Sequence, residues 1–209
     1  MEAFPHMRKD DLDPQQRALW DELTLGPRGF YTGGPDTERL PDLYNAWIQF
    51  PQFGKLMLSL GDEIRTKKDL PGNLREIIVL TTSAKLGATV EFDFHIPFAL
   101  NEGLTQEQVD ALKAGNDPGF IHPAERATYE ANLQLLSTAT LEPATRDTLV
   151  ETIGYPGLVQ LFATVMLYVV TAWTTNVARV KLAEDFSADP EMLKDFFAGK
   201  PVSSGDDEA

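Results

Sequence analysis

A chain of 209 residues, 43% of them apolar and spread evenly to about residue 198, is long enough to bury one sizeable core. A formal charge of −14 with no cluster of lysine and arginine repels phosphate backbones and anionic lipid, so nucleic acid and membrane surfaces are poor partners. The complete absence of cysteine excludes disulfides, thiolate metal sites and thiol-based redox chemistry.

The first eleven residues lack an apolar run preceded by positive charge, and no apolar stretch is expected to reach membrane-spanning length without interruption, so a cytoplasmic location is expected. Asp13-Pro14 then reads as a helix start, with Asp13 capping and Pro14 at the first helical position, and Gly26-Pro27-Arg28-Gly29 stops that helix. The Gly/Pro-rich run to Pro41 is expected to be an ordered loop carrying Phe30 and Tyr31. Helices follow over 42–49 and from Pro51 to about Arg65, where Phe53, Leu56, Met57 and Leu60 keep a 3.6-residue period.

Pro71 starts a helix to about Leu86, and Val90 to Glu102 forms the next, with Pro97 expected to kink it just after His95. Thr105 and Gln108 have capping-box spacing for a short helix ending at Gly115. Further helices are expected from Pro123 to Thr138, from Pro143 to Ile153, and along the apolar run from Pro156 to about Leu182. With strand signals nearly absent, the fold class is all-α: one domain over 1–198, followed by a disordered acidic tail over 199–209.

Three titratable residues stand out in this apolar, helical setting. Glu91 and His95 are four residues apart, so on a helix they share a face and form a general acid/base pair. Glu76 lies on the preceding helix, which must fold back antiparallel because only a short link around Gly87 separates the two. Burying carboxylates and an imidazole is costly unless they are paired, which marks the trio as functional candidates. The plainer readings are a satisfied structural histidine for His95 and a structural partner of Arg75 for Glu76. A metal bound by Glu76, Glu91 and His95 is disfavoured, because there is one histidine and no second soft ligand. His122 reads as a residue leading into a helix, and His6 as part of a mobile terminus.

The pattern Leu-Arg-Glu-Ile at 74–77, Glu91-Phe92 with His95, then Ala99, Gly103-Leu104 and Gln108, resembles the carboxymuconolactone decarboxylase family of the alkylhydroperoxidase D-like superfamily. Gly26-Pro27-Arg28-Gly29 and Phe50-Pro51 resemble its longer members. The resemblance implies an alkylhydroperoxidase D-like helical bundle. The superfamily's peroxidase branch carries a Cys-x-x-Cys, whose two positions fall here on Ala88 and Glu91, so a thiol peroxidase of that kind is ruled out.

What the resemblance implies is a decarboxylase-like enzyme acting on a small carboxylated lactone or related oxo acid, with no metal or organic cofactor. His95 is then the proton donor, Glu91 orients it and holds its charge, and Glu76 tunes it or relays the proton. Arg28, in its glycine-flanked loop, is placed to grip a substrate carboxylate bidentately, with Tyr31 beside it in the same loop. Arg75 is a weaker candidate, because its neighbour Glu76 points about 100° away around the helix. Alternatives are a lactone hydrolase or isomerase using the same Glu/His pair, and a non-catalytic small-molecule-binding pseudoenzyme. The helix from Pro156 is apolar over more of its circumference than a small monomer buries, so self-association is expected, and the resemblance points to a homotrimer or homohexamer.

Overall fold

The computed structural model describes residues 3–67 and 69–181, apart from the side chain of Phe30. The tail over 199–209 and the expected helix end at Leu182 lie outside the described residues. The described residues are all-α and contain no strand. The described residues divide by their contacts into two compact units, those up to Asp62 together with those from Val177 onward, and those between Glu63 and Asn176.

In the first unit, α1 (Pro14–Leu25) opens on a full capping box. The Asp13 carboxylate accepts from the Gln15 and Gln16 amides at 2.8 and 2.9 Å, and the Gln16 side chain accepts from the Asp13 amide at 3.0 Å. Leu19, Trp20 and Leu23 form its buried face. A short helix, α2 (Gly29–Thr32), occupies part of the segment expected as a loop. It is held by the Thr32 hydroxyl, which donates to the Leu23 carbonyl at 2.9 Å, and by the Gly33 amide, which returns to the Gly29 carbonyl. Next come α3 (Asp42–Trp47) and α4 (Pro51–Thr66). His6 is tied down rather than loose, with its Nε2 3.1 Å from Asp42.

In the second unit, α5 (Gly72–Lys85) is the central helix, packed on α6 (Thr89–Asn101), α7 (Gln106–Ala114) and α8 (Pro123–Thr138). Every residue of α5 from Leu74 to Ser83 is buried, the signature of a helix surrounded on all sides. Across its contact with α8, the Asn132 amide donates to the Ile78 carbonyl at 2.9 Å and the Thr82 hydroxyl at 3.0 Å. Helix α6 continues through Pro97 to Asn101, so the proline does not end it. Thr105 and Gln108 make the expected capping box of α7.

The two helices expected from Pro143 and Pro156 are both present, running end to end as α9 (Pro143–Ala178) across a break at Gly154. Gly154 has φ 68° and ψ 178°, a conformation in which a side chain would be strained, and Pro156 follows with no amide to donate. The helix ends at Ala178, short of Leu182, and Arg179 takes a left-handed φ of 54°. Beyond the break, the Gln160 amide group fixes α9 beside the approach to α5: it donates to the Ile64 carbonyl and accepts from the Leu70 amide, each at 3.0 Å. Leu158, Leu161, Val165 and Ala172 are buried, while Val159, Phe162, Met166 and Trp173 are 40–63% exposed. By length and composition this helix could cross a membrane, with a window of mean hydropathy 1.7, contrary to the expectation that no stretch would qualify.

Candidate acid-base site

The second unit gathers a continuous line of charged and polar groups from three helices. Arg75 and Glu76 come from α5, Glu91 and His95 from α6, and Tyr168 from α9. The Glu76 carboxylate is the hub: one oxygen lies 2.9 Å from His95 Nδ1, and the other accepts from Arg75 Nε at 2.9 Å. The far edge of the Arg75 guanidinium donates to Glu102 at 3.1 Å. Gly72 makes room for that contact, since a Cβ there would stand 1.9 Å from the Glu102 carboxylate.

The other imidazole nitrogen, Nε2, faces outward. It lies 3.4 Å from Glu91 Oε1 and 3.4 Å from the Tyr168 hydroxyl. The imidazole also packs among aromatic rings: its centroid is 5.1 Å from Phe98 and 5.5 Å from Phe94, and it meets Tyr168 edge-on at 5.2 Å. Side-chain exposure rises outward along the line, from 1% at Glu76 to 10% at His95 and 11% at Glu91, with Tyr168 half-buried. The less buried end of the cluster is therefore the Nε2 end.

The electrostatics follow from this packing. Burial disfavours a charged imidazole, but the charge and hydrogen bond of Glu76, and then those of Glu91, outweigh it and raise His95 from 6.5 to about 9. Burial also works against the Glu76 carboxylate, yet His95 first and Arg75 second hold it below the ordinary glutamate value. Arg75 is raised by Glu76, Tyr168 and Glu102 against the cost of its burial. Tyr168 is pushed well above the usual tyrosine range by burial and by the negative fields of Glu76 and Glu91. At neutral pH the site therefore holds an imidazolium between two glutamates, with a protonated phenol beside it.

Glu76, Glu91 and His95 thus converge, and the arrangement differs from expectation in two ways. The shorter contact to the imidazole comes from Glu76 on the neighbouring helix, not from Glu91 one turn away on α6. Arg75 also belongs to the network, because its long side chain bends back to Glu76 despite the angle between their Cβ directions. Its charge is thus directed at two protein carboxylates.

Arg28 and Tyr31 lie in the first unit. The Arg28 guanidinium makes a bidentate contact with Asp62, at 2.7 and 3.3 Å, and donates to the Leu58 carbonyl at 3.3 Å. Its fork thus holds a carboxylate of its own chain, the geometry expected toward a substrate. Tyr31 shares a hydroxyl contact of 2.9 Å with Tyr44.

Tyr168 and Glu102 join the cluster in addition to the residues expected from sequence. Tyr168 carries a readable signal: it falls at helical spacing between Val165 and Ala172 on the buried face of α9, and a phenol there needs a polar partner. Glu102 carries none, since its contact depends on the fold of α5 against α6. Among the described residues, no group of three or more histidine and acidic side chains is arranged to hold a metal.

Comparison with known proteins agrees with the fold. No curated protein matches the chain by sequence. The debrominase Bmp8 shares the fold: a crystal structure of a cysteine-to-alanine variant with 2,3,4-tribromopyrrole superposes with a TM-score of 0.59 at 19% identity, covering 93% of this chain and 96% of that one. Its apo form superposes with a TM-score of 0.59 at 16% identity, covering 94% and 96%. The model of the carboxymuconolactone decarboxylase family matches residues 51–131, which span α4 to most of α8 and include Arg75, Glu76, Glu91, His95 and Glu102. Over residues 51–131, the stretch that holds the acid-base cluster apart from Tyr168, the chain is therefore similar to the carboxymuconolactone decarboxylase family.

Proposed function

We propose that this protein is a cofactor-independent acid/base enzyme that decarboxylates a small carboxylated lactone or related oxo acid. The observation that carries the reading is the His95 imidazole, held between Glu76 and Glu91 and raised to about 9, with its Nε2 on the less buried side. A group charged at neutral pH and able to release one proton from Nε2 is a general acid. The absence of cysteine leaves thiol chemistry out of account.

In a carboxylated lactone, the bond from ring carbon to carboxylate breaks and CO2 leaves. Its electron pair delocalises through the ring double bond onto the lactone carbonyl oxygen as a dienolate, so the substrate is its own electron sink. His95 Nε2 then gives its proton to the distal ring carbon, becomes neutral and is reprotonated from water. Glu76, anchored by Arg75, fixes the ring through Nδ1 and stabilises its charge, and Glu91 steers the Nε2 proton. Phe94 and Phe98 beside the imidazole offer the apolar surroundings that favour loss of a carboxylate. A small ring is also what the debrominase of this fold holds, in its case 2,3,4-tribromopyrrole.

Under the same reading the protein works in the cytoplasm as a homo-oligomer, a trimer or hexamer, joined through the exposed apolar face of α9. The test of function is a screen of carboxylated lactones and oxo acids with wild type and His95→Gln, following CO2 release. Release by wild type, reduced at least roughly a hundredfold in the variant, supports the reading. Ring opening without CO2 would replace it with a lactone hydrolase, ring rearrangement without CO2 with an isomerase, and binding without product with a pseudoenzyme.

A further inference from the structure

We propose that the Tyr168 hydroxyl is an oxyanion donor, holding the negative charge that develops on a substrate carbonyl oxygen while His95 supplies the proton. This inference rests on the acid/base reading and adds a group that the reading needs. Decarboxylation onto a carbonyl asks for two donors at once, one for carbon and one for oxygen. His95 has a single outward N–H, since Nδ1 faces Glu76 at 2.9 Å. The Arg75 guanidinium lies against Glu76 and Glu102.

Tyr168 fits the second role by geometry. Its hydroxyl stands 3.4 Å from His95 Nε2, the atom assigned to proton delivery, so a carbonyl oxygen and a neighbouring ring carbon can meet the two groups together. A phenol has one proton to donate and lone pairs to accept. With His95 charged, Nε2 is itself a donor, so the contact uses a lone pair of Tyr168 and leaves its O–H to point elsewhere. Burial and the two nearby carboxylates keep that proton in place at working pH, as an oxyanion donor requires. The residue is half-buried, less enclosed than Glu76, Glu91 and His95.

The test uses 4-nitrophenolate, an oxyanion on a planar ring, added to the full chain at pH 8 and followed by calorimetry and by its absorbance. Wild type is expected to bind it, and Tyr168→Phe to bind it at least roughly tenfold more weakly while keeping its melting temperature and the titration of His95. On whichever substrate turns over, kcat is expected to fall about a hundredfold with KM little changed. Equal probe binding by wild type and Tyr168→Phe, or no binding by wild type, overturns the proposal. So does a shifted His95 titration that accounts for the whole loss, since Tyr168 would then merely position the imidazole. Should Tyr168→Phe fold poorly, 3-fluorotyrosine at position 168, a stronger donor of the same shape, is expected to tighten probe binding, and unchanged binding counts against the idea. The acid/base reading fails separately, through equal turnover by wild type and His95→Gln in the substrate screen.

Discussion

Glu76 on α5 reaches His95 on α6 at 2.9 Å and binds Arg75 with its other oxygen, so a single carboxylate fixes both the position and the charge of the imidazole. Glu91, at 3.4 Å, has the looser contact and the more exposed position. The two glutamates therefore differ in what their removal does. Glu76→Gln leaves a buried arginine and a buried imidazolium short of a counter-charge, and is expected to cost roughly 3–5 kcal/mol of stability. Glu91→Gln is expected to cost about 1 kcal/mol or less while slowing turnover. Chemical denaturation of the two variants, alongside their rates, checks the contrast.

Stability is expected to depend on pH on both sides of neutrality. His95 is raised from 6.5 to about 9 in the folded protein, so its contribution is complete below about 6.5 and is lost as pH climbs through about 9. That shift corresponds to roughly 3 kcal/mol at most. Glu76 is lowered, so its contribution is present above the ordinary glutamate value of 4.5 and is lost as pH falls through its folded value. Melting temperatures measured across pH should fall from neutrality toward 10, and His95→Gln should flatten that alkaline limb. An unchanged alkaline limb in the variant would assign the loss to other groups.

Much of this architecture is legible in the residues because local rules and tertiary packing agree. Asp13-Pro14, Thr105 with Gln108, and Pro123 each mark a helix start where one occurs. Glu91 and His95 come together through helical period alone. Other features depend on long-range placement. The short helix α2 forms in a Gly/Pro-rich stretch because the Leu23 carbonyl accepts from Thr32. The dominance of Glu76 over Glu91 reflects how closely α5 and α6 pack, and Tyr168 reaches His95 across 73 positions of sequence. Arg28 looked free to grip a ligand because Asp62, its partner, lies 34 positions away.

The pairing of Arg28 with Asp62 and the Leu58 carbonyl gives it a measurable structural role in the first unit. Arg28→Met removes a buried guanidinium that bridges α4 to the segment before α2, and is expected to destabilise the protein by about 1–3 kcal/mol. Arg28→Lys should recover only part of that loss, because an ammonium cannot form the two-pronged contact. Thermal denaturation of both variants tests this. Full recovery with lysine would mean that charge alone matters.

Val159, Phe162, Met166 and Trp173 line the exposed side of α9 at helical spacing. If this face joins copies of the chain, the double variant Phe162→Glu with Met166→Glu is expected to lower the mass seen in sedimentation without detergent, while keeping the helical circular dichroism signal. Wild type that requires detergent to stay dispersed would instead indicate a lipid-facing helix, consistent with its length and composition.

The most direct test of the central claim is the imidazole titration of His95, followed by NMR. The chain has only three histidines, so the His95 resonance can be assigned with His95→Gln. An apparent value of about 9 is expected in wild type, dropping toward or below the ordinary 6.5 in Glu76→Gln. A wild-type imidazole that titrates at 6.5 or lower would mean that His95 is neutral at working pH, and would contradict its role as the proton donor.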